Sequence, residues 1–201
     1  MALAGEQLGY YYRKDRWILK EIDISLAPGE VLGLSGYSGC GKTTLARMLA
    51  GYVKPRAGRV LLDGKPMMQH GFRPVQMIYQ HPEKAMNPKW RMKDVLQESY
   101  IPSEDVLDAF EIRKEWLDRW PVELSGGEKQ RFCIVRSLNP ATRYIIADEM
   151  TTMLDAITQA QIWHTFLSIC KSRSIGVLVV SHEESLIRRV CDRVYKVGQQ
   201  E

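Results

Sequence analysis

Residues 36–43 read Gly-Tyr-Ser-Gly-Cys-Gly-Lys-Thr, the spacing G-x-x-x-x-G-K-T. The three glycines Gly36, Gly39 and Gly41 let a backbone close on an anion where a Cβ would clash. N–H groups bunched at the start of a helix are natural partners for phosphate oxygens. In such a loop Lys42 reaches the β- and γ-phosphates of a nucleotide, and the Thr43 hydroxyl ligates Mg2+. Ser38, Cys40 and Thr44 complete the cradle. Much later, the apolar run 144–147 is closed by Asp148-Glu149. An acidic pair at a strand end is usually just surface. In a chain that also holds this loop, Asp148 is placed to bind Mg2+ through water. Glu149 is then the candidate base for an attacking water.

Leu-Ser-Gly-Gly-Glu at 124–128 is the second informative stretch. Ser125 reads as a helix N-cap with Glu128 three residues on, a capping box. Gly126 and Gly127 are poor helix formers. Two glycines in a first turn make sense where something must approach that backbone closely. One loop suffices for one γ-phosphate, so this second cradle is read as serving the nucleotide of another subunit.

The elements that must position these residues follow from pattern. The apolar run 31–35 precedes the glycine loop as a buried strand, and 44–50 follows it as a helix stopped by Gly51. Upstream, 8–12 and 17–26 read as strands separated by the polar Arg13-Lys14-Asp15-Arg16. Strands are also expected at 58–62, ending in the turn Asp63-Gly64, and at 75–79. From Gln80 to Glu123 the character is helical, with helices expected at 93–100 and 103–120. A helix at 126–138 and a strand at 144–147 come next. Over 156–171, Ile157, Ala160, Trp163, Phe166, Leu167 and Cys170 form one apolar stripe, read as core packing. Strand 177–180, helix 183–190 and strand 193–197 close the chain. The fold class is α/β: one domain, with a P-loop NTPase core (1–80 and 124–201), an N-terminal antiparallel β subdomain and a small helical insert (81–123).

Composition limits the function. The 201 residues carry a formal charge of +4, with both signs interspersed, so a nucleic-acid partner is not expected. The four cysteines form no C-x-x-C pair and the four histidines do not cluster. This argues for reduced thiols in the cytosol rather than a disulfide framework or zinc site. The opening residues do not read as a signal peptide. No apolar run reaches the ~18 residues that span a bilayer, so membrane contact would run through a partner. Cys40, beside a helix N-terminus and Lys42, reads equally as a reactive thiol or as an inert filler of the loop. Met86, Trp90 and Met92, around Asn87-Pro88-Lys89, read as a partner-docking surface, the alternative being that they pack the small core of the insert.

The G-x-x-x-x-G-K-T loop, Leu-Ser-Gly-Gly-Glu, the apolar strand with Asp-Glu and the later Ser181-His182, in this order, resemble the ATP-binding subunits of ABC transporters over essentially the whole chain. The resemblance implies ATP and Mg2+ as cofactors. It implies that Tyr12 stacks on adenine, with Tyr11 as the alternative, and that Gln80 senses Mg2+ and γ-phosphate. Ser125, Gly126, Gly127 and Glu128 would close over a partner's ATP, Asp155 would cross the dimer, and His182 would meet the γ-phosphate. Gln80-His81-Pro82 and Met86-Asn87-Pro88 are similar to the dipeptide, oligopeptide and nickel importer branch. That branch implies permease subunits, a second ABC ATPase subunit, an extracytoplasmic substrate-binding protein and a peripheral place on the cytoplasmic membrane face. Met150 departs from the proline common in the family, and Thr152-Met153 from Ser-Ala. The alternative is a soluble ABC-type ATPase acting on nucleic acid or ribosomes, but such proteins usually carry fused domains or long inserts that this chain lacks. A nucleotide kinase would share only the glycine loop.

Overall fold

The computed structural model describes all residues except 1, 14–15, 68–70, 153 and 199–201. Lys14 and Asp15 of the expected polar turn, His70 and Met153 therefore lie outside the described residues. The chain divides into two compact units.

The first unit comprises residues 1–77, 143–148 and 170–201. Strands β1 (Leu3–Arg13), β2 (Arg16–Leu26), β4 (Ala57–Leu62) and β5 (Lys65–Pro66) form an antiparallel sheet in the order β2-β1-β4-β5. Strands β6 (Val75–Ile78), β7 (Tyr144–Asp148), β8 (Gly176–Val180), β3 (Val31–Ser35) and β9 (Arg193–Lys196) form the second sheet, in that order. Its β7-β8-β3-β9 pairs are parallel. Strands β7 and β8 are buried at every position, as expected of strands covered on both faces. Helix α1 (Lys42–Leu49) turns Leu45, Met48 and Leu49 inward. Leu3, Ile24 and Leu26 meet Leu32, Leu49 and Leu178 between the sheets.

The second unit comprises residues 78–142 and 149–169. It holds α2 (Met92–Gln97), α3 (Glu104–Ala109), α4 (Gly126–Ser137) and α5 (Ala156–Ser172) as far as Ile169, with three short 3-10 turns. Buried Gln130 donates to the Tyr79 carbonyl at 3.3 Å, and Tyr100 Oη donates to the Val135 carbonyl at 3.0 Å. Helix α6 (Glu184–Val190) belongs to the first unit.

The long helix expected over 103–120 is instead short. α3 stops at Ala109, Glu111 takes φ +51°, and a 3-10 turn occupies Lys114–Trp116. Phe110, Ile112 and Trp116 are all buried. Residues two apart point to opposite sides of a helix, so burying both Phe110 and Ile112 requires the chain to turn between them. The two-residue strand β5 was not expected; Lys65 and Pro66 carry no strand signal. Strand β1 begins at Leu3 rather than Leu8, with bulges that let Gly5 and Gly9 sit under larger side chains. A Cβ on Gly9 would lie 2.7 Å from the Trp17 ring.

Candidate functional site

In the first unit the glycine loop joins β3 to α1. Gly41 caps α1 at φ +101°, with no side-chain cap and no acidic residue in the first turn. The leading N–H groups of α1 are thus left for an anion. The loop's tightness explains its glycines. A Cβ on Gly36 would lie 2.7 Å from both Cys40 Sγ and the Val197 carbonyl, and one on Gly41 2.9 Å from Ile18. Lys42 Nζ is folded over the loop and donates to the Gly36 carbonyl at 2.6 Å and the Tyr37 carbonyl at 3.0 Å. Its ammonium is therefore held at the mouth of the cradle.

Thr43 Oγ1 donates to Asp148 Oδ1 at 3.5 Å. A hydroxyl and a carboxylate side by side are hard oxygen donors of the type Mg2+ takes. Together with the uncapped helix start, they make the residues present fit a magnesium nucleotide. Tyr12 Oη lies 3.2 Å from Thr44 Oγ1, with its ring 68% exposed and edge-on to Tyr10. Tyr11 instead stands edge-on to Trp17 with the Arg56 guanidinium over it. Of the two tyrosines, Tyr12 has the open ring beside the loop. His182 is exposed after β8 and lines an open cleft with Gly36, Tyr37 and Lys196. Ser181 beside it is buried, and its Oγ accepts from the Glu183 N–H at 3.0 Å.

In the second unit Ser125 caps α4 as its sequence suggested. Ser125 Oγ accepts from the Glu128 N–H at 3.3 Å, and the Glu128 carboxylate accepts from the Ser125 N–H at 2.7 Å. A Cβ on Gly126 would meet nothing within 4 Å, whereas one on Gly127 would lie 2.8 Å from Leu154 Cδ2. Glu149 follows Asp148 directly, with φ +51°. Gln80 Nε2 donates to Thr152 Oγ1 at 3.4 Å. Asp155 is the N-terminal cap of α5. Its carboxylate accepts from Thr158 Oγ1 at 2.6 Å and from the Thr158 and Ile157 N–H groups at 3.0 and 3.1 Å. The Thr158 bonds, hydroxyl first, hold its carboxyl below the usual aspartate range.

Burial decides between two pairs of readings left open by the sequence. Cys40 is only 3% exposed, packed beneath the loop, so it is a filler rather than an accessible thiol. Met86 and Met92 are buried within the second unit and only Trp90, at 38%, is open. The Met-Trp-Met docking surface therefore reduces to one exposed ring. The sequence reading took Thr152 only as a departure from the family pattern and missed Thr151. Two threonines straight after an acidic strand end are hydroxyls positioned to bond the local backbone, a signal that was there to read.

Residues 19–152 match the family described as ABC transporter. The chain is 35% identical over 185 residues to the probable D,D-dipeptide transport ATP-binding protein DdpF of Escherichia coli, covering 86% of this chain and 58% of DdpF. It is 32% identical over 200 residues to the nickel import system ATP-binding protein NikE of Staphylococcus aureus, covering 91% of this chain and 81% of NikE. Its fold matches a dimeric, post-hydrolysis ATP-binding cassette bound to ADP and Pi, with a TM-score of 0.81 at 21% identity, over 97% of this chain and 94% of that one. Among the described residues no helix is long and apolar enough to cross a membrane.

Proposed function

Because the chain belongs to the ABC transporter family, we propose that it is the ATP-hydrolysing subunit that drives a membrane permease. Its cargo is a small peptide, nickel or a metal chelate moved into the cell, by analogy with a D,D-dipeptide transport protein and a nickel import protein. It works as one of two ABC ATPase subunits held at the cytoplasmic membrane face by permease subunits, and it receives substrate through an extracytoplasmic binding protein. Nucleic acid has no part in this scheme.

The observation that carries the reading is the first-unit site: an uncapped α1 start, Lys42 over the loop, and Thr43 beside Asp148. Lys42 and the α1 N–H groups hold the phosphates, with Gly36, Ser38, Gly39, Cys40, Gly41 and Thr44 shaping the cradle. Tyr12 stacks on the adenine. Thr43, Asp148 and Gln80 are the groups that would hold Mg2+. That ion, when bound, neutralises charge building on the β- and γ-phosphate oxygens. Glu149 takes the proton of the attacking water, His182 donates to the γ-phosphate, and Gln80 reports its presence. Ser125, Gly126, Gly127 and Glu128 close over the ATP of the other ATPase subunit, with Asp155 at the same dimer face. The stretch 80–98, where the Trp90 ring is exposed, receives a cytoplasmic helix of the permease.

Glu149→Gln tests this. The amide keeps the shape but cannot take a proton, and loss of a positioned base costs about 10²–10⁴-fold in turnover. Steady-state ATPase should collapse while ATP binding, measured by calorimetry, persists. Near-normal turnover would remove Glu149 from the base role.

A further inference from the structure

Thr151 and Thr152 are neighbours with opposite surroundings. Thr151 is buried, and its Oγ1 accepts from Gln159 Nε2 at 2.9 Å and from Trp163 Nε1 at 3.0 Å. Two donors from α5 thereby pin the segment after Asp148-Glu149. Thr152 is exposed. Its N–H and its hydroxyl both donate to the Glu149 carbonyl, at 3.4 and 3.2 Å. The same hydroxyl accepts from Gln80 Nε2 at 3.4 Å. A hydroxyl has one proton to give and lone pairs to receive, so one Thr152 oxygen serves both partners at once.

Glu149 sits in the left-handed region at φ +51°. A non-glycine residue stays there only when its surroundings over-determine it. Two donors from Thr152 on one carbonyl fix the plane of the peptide that leaves Glu149, and Thr151 fixes the segment from which Thr152 reaches. We propose that Thr152 is a positioning residue. It links the Gln80 side chain to the backbone of Glu149, so that the base is aimed for water only while the Gln80 segment is in place. This rests on the ATPase reading and adds to it: the sensing residue and the base communicate through one hydroxyl.

The test uses the full chain and its steady-state ATPase. Thr152→Val removes the hydroxyl at similar volume and should lower kcat about tenfold, the scale of a modest misplacement of a reacting group. KM for ATP should stay within about twofold, because no contact to nucleotide is removed. Thr152→Ser restores the hydroxyl and should restore kcat. Combined with Gln80→Ala, Thr152→Val should cost less than the product of the two single losses, the sign of a shared path. Normal kcat in Thr152→Val, Thr152→Ser as slow as Thr152→Val, or strictly multiplicative losses would each overturn the link. No ATP turnover by the parent chain would instead overturn the ATPase reading itself, a result distinct from any pattern among the Thr152 variants.

Discussion

The start of α1 and the start of α4 are both glycine-rich, and they are built in opposite ways. At α1 no side chain caps the helix and no acid stands in its first turn. At α4 Ser125 and Glu128 satisfy each other's N–H groups, and an acid is already present. The glycines differ too. Gly36 and Gly41 are required by their own chain, which a Cβ would strike. Gly126 has nothing within 4 Å of a Cβ. The α1 start needs an external anion to satisfy it. The α4 start satisfies the Ser125 and Glu128 N–H groups by itself and keeps an open surface above Gly126. The two helix starts thus differ first in capping, and then in the clearance at Gly126.

The largest effect that could break this contrast is at Lys42. Removing its ammonium by Lys42→Ala should cost about 1.5–3 kcal/mol of nucleotide binding, the range for a hydrogen bond to a charged group. Calorimetric titration with ATP reads it directly, and unchanged affinity would deprive α1 of its special role.

Gly127→Ala and Gly126→Ala sharpen the other half. The first forces a methyl against Leu154 and should destabilise by about 1–3 kcal/mol, as overpacking does. The second should leave the melting temperature of the lone chain unchanged or slightly raised, yet depress ATPase at concentrations where two copies meet. If Gly126→Ala keeps full ATPase, nothing approaches that helix start. Ser125→Ala comes next, with about 1 kcal/mol lost with the cap, seen as a lower melting temperature. A variant as stable as the parent would mean that Glu128 alone secures the turn.

The smallest effect is with pH. Asp155 is held below its usual range by Thr158, and Asp63 by the hydrogen bond from Arg143. A depressed folded-state pKa gives stability that is present above the unfolded value, about 4, and lost as pH falls below it. Melting temperature should therefore drop as pH falls below about 4. Asp155→Asn should flatten part of that slope. An identical slope would mean that the cap adds nothing to acid sensitivity.

Much of this was legible in the sequence because local signals and burial agreed. The glycine loop, the Ser125 cap and the strands at Val31–Ser35 and Gly176–Val180 each carry spacing or composition that the fold reuses. What was illegible was set by tertiary burial. Nothing in Phe110-Glu111-Ile112 announces a break, since helix propensity favours continuing; the demand to bury both apolar side chains overrides it. Met86 and Met92 look like interface residues because methionine suits interfaces and cores equally. The role of Asp155 as the cap of α5 was likewise not read from its pattern, and its carboxylate accepts from Ile157 and Thr158. The pattern shows which residue stands there but not how many partners its oxygens already have.

A selection for heat tolerance alone would not keep glutamate at position 149. Its left-handed backbone costs a side-chain-bearing residue about 1–2 kcal/mol, a penalty glycine escapes. Glu149→Gly should thus tend to raise the melting temperature of this chain while emptying the position proposed to activate water. Libraries sorted by thermal survival would enrich inactive variants at this codon, a stability–activity trade-off confined to one backbone torsion. Any thermostabilising campaign on this subunit has to hold position 149 fixed and look for its gains elsewhere.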